Sequence, residues 1–164
     1  MGAGILPVAI HQGQLMFLFG SEVYDNKFSD FGGGTEKGEY PFKTAIREGY
    51  EELDGFFGNK TQLQELVKEN MVFKLVIGKY TVFIFKIPYE PNLPFYFNNH
   101  HQFIQKHISH KVNKQGLFEK NKMCWFSLNE LKKNRNQFRD FYKTAILDVL
   151  ISKYSMLLKE AKKV

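Results

Sequence analysis

Three consecutive glycines, Gly32-Gly33-Gly34, separate an apolar opening stretch from a segment dense in carboxylates. Such a run cannot form the interior of a helix, because glycine loses more backbone freedom there than any other residue. Gly38 adds a second break, and Pro41 then stands where a new helix begins. Residues 42–53 carry helix-compatible side chains, with Gly55 and Gly58 beyond them as stop signals. On that helix Glu48, Glu51 and Glu52 stand at i, i+3 and i+4 and share one face. Exposed like charges at this spacing repel by a few tenths of a kcal/mol per pair. The cluster becomes useful when a divalent cation neutralises it. Hard oxygen donors suit Mg²⁺ or Mn²⁺, which keep some waters and take substrate phosphates at other positions. Bare glycine backbone lets carbonyls and amides approach both metal and phosphate. Arg47 can pair with Glu51 one turn later and hold it in place. Without further constraint, an ordinary charged surface helix is the better reading.

The spacing separates the two readings. Gly33 is followed by five residues, then Glu39, then seven residues, then Arg47-Glu48, then two, then Glu51-Glu52. This resembles the Nudix box, G-x5-E-x7-R-E-U-x-E-E-x-G-U, where U is a bulky aliphatic residue. Six of its nine defined positions match, including every charged one. The extended form G-G-x-x-E-x-G-E stands intact at Gly32 to Glu39, and Trp125-Phe126-Ser127-Leu128-Asn129-Glu130-Leu131 is similar to a segment common late in Nudix domains. The box covers residues 33–55; outside it the resemblance is looser.

The resemblance implies an α/β (α+β) fold, a Nudix-type α/β/α sandwich with a mixed β-sheet, as a single domain over residues 1–164. It implies that Glu48, Glu51 and Glu52 are metal ligands, that the backbone carbonyl of Gly32 adds another, and that Glu39 is an outer ligand or support. Arg47 would orient the glutamates. Mg²⁺ or Mn²⁺ would be the cofactor. The chemistry implied is attack of a metal-activated water on one phosphorus of a diphosphate linkage. Glu52 or Glu48 would serve as general base, or a glutamate from a later loop. Glu119 is the candidate for that last role, against the plainer reading of an exposed loop acid.

Three positions depart from the box: Gly49 replaces the aliphatic residue, Asp54 the glycine, and Gly55 the final aliphatic residue. Glycine in a helix costs on the order of 1 kcal/mol relative to alanine. A bulky neighbour, Tyr50 or a phenylalanine from the sheet, is expected to fill the space at Gly49. Asp54 tolerates a left-handed backbone and so suggests a shifted helix exit.

Elsewhere, residues 3–10 and 15–19 read as strands joined by a turn at Gln12-Gly13-Gln14, and residues 21–28 as a polar loop. Residues 61–70 suit a short helix, and residues 71–87 a β-hairpin with Gly78 in its middle. Residues 95–116 are Asn- and His-rich and expected to be partly helical. His107 and His110 could ligate zinc, but an exposed substrate-facing loop is the better reading of the four histidines there. Phe95-Tyr96-Phe97 reads as core, with base stacking the alternative. A strand at 123–126, a capped helical turn from Ser127, and a helical stripe to the end complete the order.

At 164 residues and 43% hydrophobic content, the chain can bury one sizeable core. The single cysteine, Cys124, excludes an intrachain disulfide and suits an intracellular, cytoplasmic protein. No secretory signal or membrane-spanning apolar run is evident. Residues 1–98 hold 9 Lys+Arg and 12 Asp+Glu, whereas residues 99–164 hold 14 and 5. A solvated basic surface accounts for this balance. The sharper alternative is that Arg135, Arg139 and Lys143, at i, i+4 and i+8, bind a polyanion, with Arg139 and Lys143 as substrate contacts. The expected partner is a nucleotide or another diphosphate-containing small molecule, or a capped RNA end. A diphosphoinositol polyphosphate substrate and a non-catalytic nucleotide-binding module are the alternatives. Selectivity is expected in residues 20–30 and 90–120.

Overall fold

The computed structural model describes residues 1–111 and 118–164. Strand β1 (Gly2–His11) turns back through Gln12 and Gly13, both at positive φ, into β2 (Gln14–Glu22). Two left-handed residues give the turn whose twist matches antiparallel strands. β1 runs parallel to β6 (Tyr80–Lys86), which pairs with β5 (Met71–Ile77) in the expected hairpin. On its other edge β1 changes partner midway. Val8 to His11 pair with β2, while Gly2 to Ile5 pair with β4 (Phe31–Gly34). β2 diverges from there to pair with β3 (Phe28–Ser29) and β7 (Lys120–Phe126). The sheet therefore forks, and the fork positions the site.

Side chains alternate across the strands, so two cores form. Ile5, Ala9, Leu18, Phe83 and Trp125 face helices α1 (Pro41–Glu52), α2 (Lys60–Glu69) and α3 (Leu93–His107). Leu6, Val8, Phe17, Phe19 and Ile84 face the C-terminal elements. These are α4 (Leu128–Lys133), a π-helical turn (Tyr142–Leu147), α5 (Asp148–Ser152) and α6 (Tyr154–Ala161). The result is the expected α/β/α sandwich on a mixed seven-stranded sheet. Ser127 and Glu130 form a capping box at the start of α4, as the sequence order Ser-x-x-Glu suggests. Among the described residues no helix is long and apolar enough to cross a membrane.

Four expectations are corrected. The polar loop at 21–28 is shorter, because Ser21 and Glu22 belong to β2 and are buried, and Phe28 begins β3. The C-terminal stripe is not one helix. Phe138 is extended after a 3₁₀ turn at Arg135–Gln137, so Arg135 and Arg139 do not share a helical face. Arg135 pairs with Asp148, Arg139 with Glu22 and Lys143 with Asp140. The histidine segment is not an open loop. His101 is buried on α3, and the His100 ring packs against Phe56 and Phe118. Of the Phe95-Tyr96-Phe97 run, only Phe97 enters the core. Residues 112–117 of the expected selectivity segment lie outside the described residues.

Candidate active site

Helix α1 presents its three glutamates unequally. Glu52 falls on the buried face with Ala45, Ile46 and Gly49, whereas Glu48 and Glu51 lie at the edge, with side chains 16% and 19% exposed. The space expected to be filled by Tyr50 or a phenylalanine is filled by Ile5. A Cβ on Gly49 would stand 2.4 Å from the Cδ1 of Ile5, so glycine here lets α1 settle onto β1.

Arg47 organises the rim. Its Nε donates to Glu39 Oε1 at 2.9 Å and one terminal nitrogen to Glu39 Oε2 at 3.0 Å. That same nitrogen also donates to the carbonyl of Gly34 at 2.8 Å. The other reaches Glu48 at 2.9 Å and Glu51 at 3.4 Å. The planar five-donor guanidinium can hold all these acceptors at once, which a lysine cannot. Pairing with Glu51 is thus the longest of these hydrogen bonds. Glu39 also accepts from the Thr44 hydroxyl and the Glu36 amide. With both oxygens occupied, its pKa is held down to about 2, chiefly by the hydrogen bonds from Arg47.

The glycine run lies against these acids. A Cβ on Gly33 would meet the Glu48 carboxyl carbon at 2.5 Å, and one on Gly32 would meet Gly4 Cα at 2.3 Å. Both positions demand glycine for close approach. The Gly32 amide donates to Glu52 Oε2 at 2.7 Å. Burial raises the pKa of Glu52 well above its ordinary value, against the opposing pull of Lys120. Burial also raises Glu48, with Arg47 opposing it.

Glu119 does not behave as an exposed loop acid. It is half-buried, and carboxylate oxygens of Glu22, Glu52 and Glu119 lie within 4.8 Å of one another. Burial and the neighbouring Glu22 raise its pKa. Glu22 and Lys120 are additions that sequence reasoning missed. Their residues stand opposite each other where the β2–β7 register shifts, and the fully buried Lys120 ammonium lies 2.5 Å from Glu22 Oε1. The only sequence signal is the alternation Phe17, Phe19, Ser21 continuing past the glycine at 20, which would have extended β2. Arg139 touches Glu22 from the surface at 3.3 Å, while Lys143 is engaged with Asp140 at 3.0 Å.

Asp54 and Gly55 form the altered helix exit, at φ 51° and 72°. The left-handed conformation expected of Asp54 is present, and its Oδ1 accepts the Phe118 amide at 2.9 Å.

Beside Gly33 and Gly34 opens an apolar pocket of about 500 Å³, lined by Ile77, Tyr80, Phe141 and Ala145. A smaller cleft carrying Asp30 and Arg139 adjoins it, sharing Gly33, Tyr80 and Phe141. Tyr80 donates to Asp30 Oδ1, and burial lifts Asp30 to about 7. The donor set fits a hard divalent cation. It consists of carboxylate oxygens around a glycine cradle, with neither thiolate nor imidazole in the cluster.

No protein-family model matches the chain, and no curated protein matches its sequence. Solved structures share its fold. It is similar to an Ap4A hydrolase of C. elegans, in a binary complex, with 16% identity over 96% of each chain and a TM-score of 0.55. It is similar to RenU, a Nudix hydrolase from M. smegmatis, with 12% identity over 94% of this chain and 86% of that one and a TM-score of 0.54. A third likeness is to a bifunctional NMN adenylyltransferase/ADP ribose pyrophosphatase from Francisella tularensis, complexed with AMP and a Mn ion. There 92% of this chain covers 41% of the other, at 16% identity and a TM-score of 0.56. The architecture is that of the Nudix hydrolases.

Proposed function

We propose that this chain is a metal-dependent Nudix hydrolase that cleaves a diphosphate linkage in a nucleoside diphosphate derivative. One observation carries the reading. Arg47 gathers Glu39, Glu48, Glu51 and the Gly34 carbonyl, while Glu52 accepts from the Gly32 amide and comes together with Glu119. Repelling carboxylates held this closely suit a site whose charge is completed by Mg²⁺ or Mn²⁺. Glu48, Glu51, Glu52 and Glu119 would hold the ion, with Glu39 and Arg47 as their support. The Gly32 carbonyl is a further ligand in this reading. A bound ion supplies activation of water and neutralisation of the departing phosphate.

The protein's own groups do the rest. Glu48 and Glu119, both held towards the protonated form by burial, are the candidates to take a proton from water. Glu52 is less suited, because one oxygen is committed to the Gly32 amide and the other faces Lys120 at 3.6 Å. The apolar pocket of Tyr80 and Phe141 offers a nucleobase a stacking surface next to the glycine run. Arg139, which lines the smaller cleft, would meet a phosphate in this reading. Two of the neighbours named above act, by their names, on Ap4A and ADP-ribose, which agrees with a nucleotide substrate. The pairing of Arg135, Arg139 and Lys143 with acids of this chain weakens the reading of an extended polyanion.

The test is turnover of a panel of dinucleoside polyphosphates, nucleotide sugars, nucleoside triphosphates, capped RNA and diphosphoinositol polyphosphate with Mg²⁺ or Mn²⁺. Hydrolysis of a nucleotide member supports the proposal. Folded protein that turns over none of them contradicts it and favours a binding module.

A further inference from the structure

Lys120 is fully buried, a rare state for lysine unless its charge is paired. Its ammonium lies 2.5 Å from Glu22 Oε1, 2.8 Å from Ser29 Oγ and 3.6 Å from Glu52 Oε1. Three oxygens therefore face the three N–H groups of one ammonium. Two features of the fold make the room. The register shift between β2 and β7 sets Lys120 opposite Glu22. Gly20 leaves space for the lysine stem, since a Cβ there would stand 3.0 Å from Lys120 Cδ.

The acids have two cationic partners. Lys120 faces Glu22 and Glu52, and carboxylate oxygens of these two and of Glu119 lie within 4.8 Å of one another, so a cation already stands in this part of the cluster. Arg47 holds Glu39, Glu48 and Glu51 from the rim.

We propose that Lys120 is a built-in counter-cation that takes the place of a second divalent ion among Glu22, Glu52 and Glu119, fixes Glu22 and Glu52, and leaves one ion to the site of Glu48, Glu51, Glu52 and Glu119. The inference rests on the metal-dependent reading above. Lys120 is a positioning residue here: it acts through Glu22 and Glu52, and a fixed positive charge repels a second cation from the pocket it fills. Glu22 is accordingly the lysine's partner, not a ligand of the ion.

Counting bound Mn²⁺ by electron paramagnetic resonance tests this directly, with thermal melting in parallel. Lys120→Met keeps the length of the stem and removes the charge. The variant is expected to bind one more Mn²⁺ per chain than the wild type, and to gain more in melting temperature when Mn²⁺ is added. Adding Glu22→Gln to Lys120→Met should return the count to that of the wild type. Should Lys120→Met require Mn²⁺ in order to fold, the count is made on protein purified with Mn²⁺ throughout, and Glu22→Gln alone gives the second reading. With Lys120 in place, Glu22→Gln should bind as many Mn²⁺ as the wild type. A lysine variant with an unchanged count, or a Glu22→Gln variant that loses an ion, overturns the inference alone. A wild type that binds no Mn²⁺ overturns the metal centre itself.

Discussion

Asp54 Oδ1 accepts a hydrogen bond from the backbone amide of Phe118 at 2.9 Å, tying the exit of the glutamate helix to the residue before Glu119. The bond spans 64 positions of sequence and joins the two segments that bring carboxylates to the site. It gives a purpose to a position where the box has glycine. Burial raises Asp54 to about 7, so between about 3.8 and 7 the folded state binds more protons than the unfolded one. Stability contributed by this group is therefore present at low pH and lost as pH rises through that window. Asp54→Asn keeps the acceptor, tolerates the left-handed backbone and does not titrate. Relative to wild type it should gain about 1–2 kcal/mol between pH 4 and pH 8, discounted for partial exposure. Urea unfolding at several pH values measures this. Parallel curves for the two proteins would remove the linkage.

Gly49 is the departure that the sequence made look weakest, and the structure gives it a steric cause. Gly49→Val restores the box but drives a side chain into Ile5. Overpacking of this kind costs about 1–3 kcal/mol. Ile5→Ala alone should also destabilise, by about 2–5 kcal/mol. The double variant should be more stable than the sum of the two changes implies, as expected for residues in contact. Strict additivity in denaturant melts would show that Gly49 and Ile5 do not share this space.

What the sequence made legible and what it hid divide along one line. Glu39, Arg47, Glu48, Glu51 and Glu52 lie within one loop and one helix, so fixed local geometry makes their spacing informative. The strands and hairpin were legible from alternation and turn glycines. Glu22 and Lys120 meet only through a β2–β7 register shift, across 98 positions. The charged Glu22 made a buried strand end look like a polar loop, because its neutralising lysine is invisible locally. Arg135, Arg139 and Lys143 looked like a stripe because spacing alone does not reveal the extended backbone at Phe138. Ile5 could not be matched to Gly49 without the packing of α1 on β1.

Arg47→Lys should separate charge from geometry. A lysine keeps one positive charge but cannot span Glu39, Glu48, Glu51 and the Gly34 carbonyl together. Turnover should fall on the order of 10-fold or more if the glutamates lose their alignment. Acid sensitivity should change as well. Glu39, held at about 2 against an ordinary 4.5, contributes stability above the higher value that is lost as pH falls through the lower one. The variant should lose less stability than wild type between pH 4.5 and pH 2. Equal losses would mean that the bidentate pairing adds nothing.

Phe141 is 55% exposed, with its ring edge-on to Tyr80 at the wall of the apolar pocket. If a nucleobase stacks there, Phe141→Ala should raise KM about 5-fold or more, in line with roughly 1 kcal/mol for an aromatic contact, with kcat nearly unchanged. Steady-state kinetics on a nucleotide substrate check this. An unchanged KM would place the base elsewhere.

The central claim is that the acids gathered by Arg47 complete a metal-dependent hydrolytic site. Glu51→Gln tests it with least disturbance to the fold. Its side chain is 19% exposed and its nearest ion partners are Arg47 at 3.4 Å and Lys60 at 3.8 Å. The decisive measurement is the Mn²⁺ dependence of nucleotide hydrolysis by wild type and Glu51→Gln, side by side. The account predicts turnover by the wild type only with the metal. In the variant it predicts a loss on the order of 100-fold and a weaker apparent affinity for Mn²⁺, at an unchanged metal-free melting temperature. Wild-type turnover without metal, or equal turnover and metal dependence in the two proteins, would contradict it.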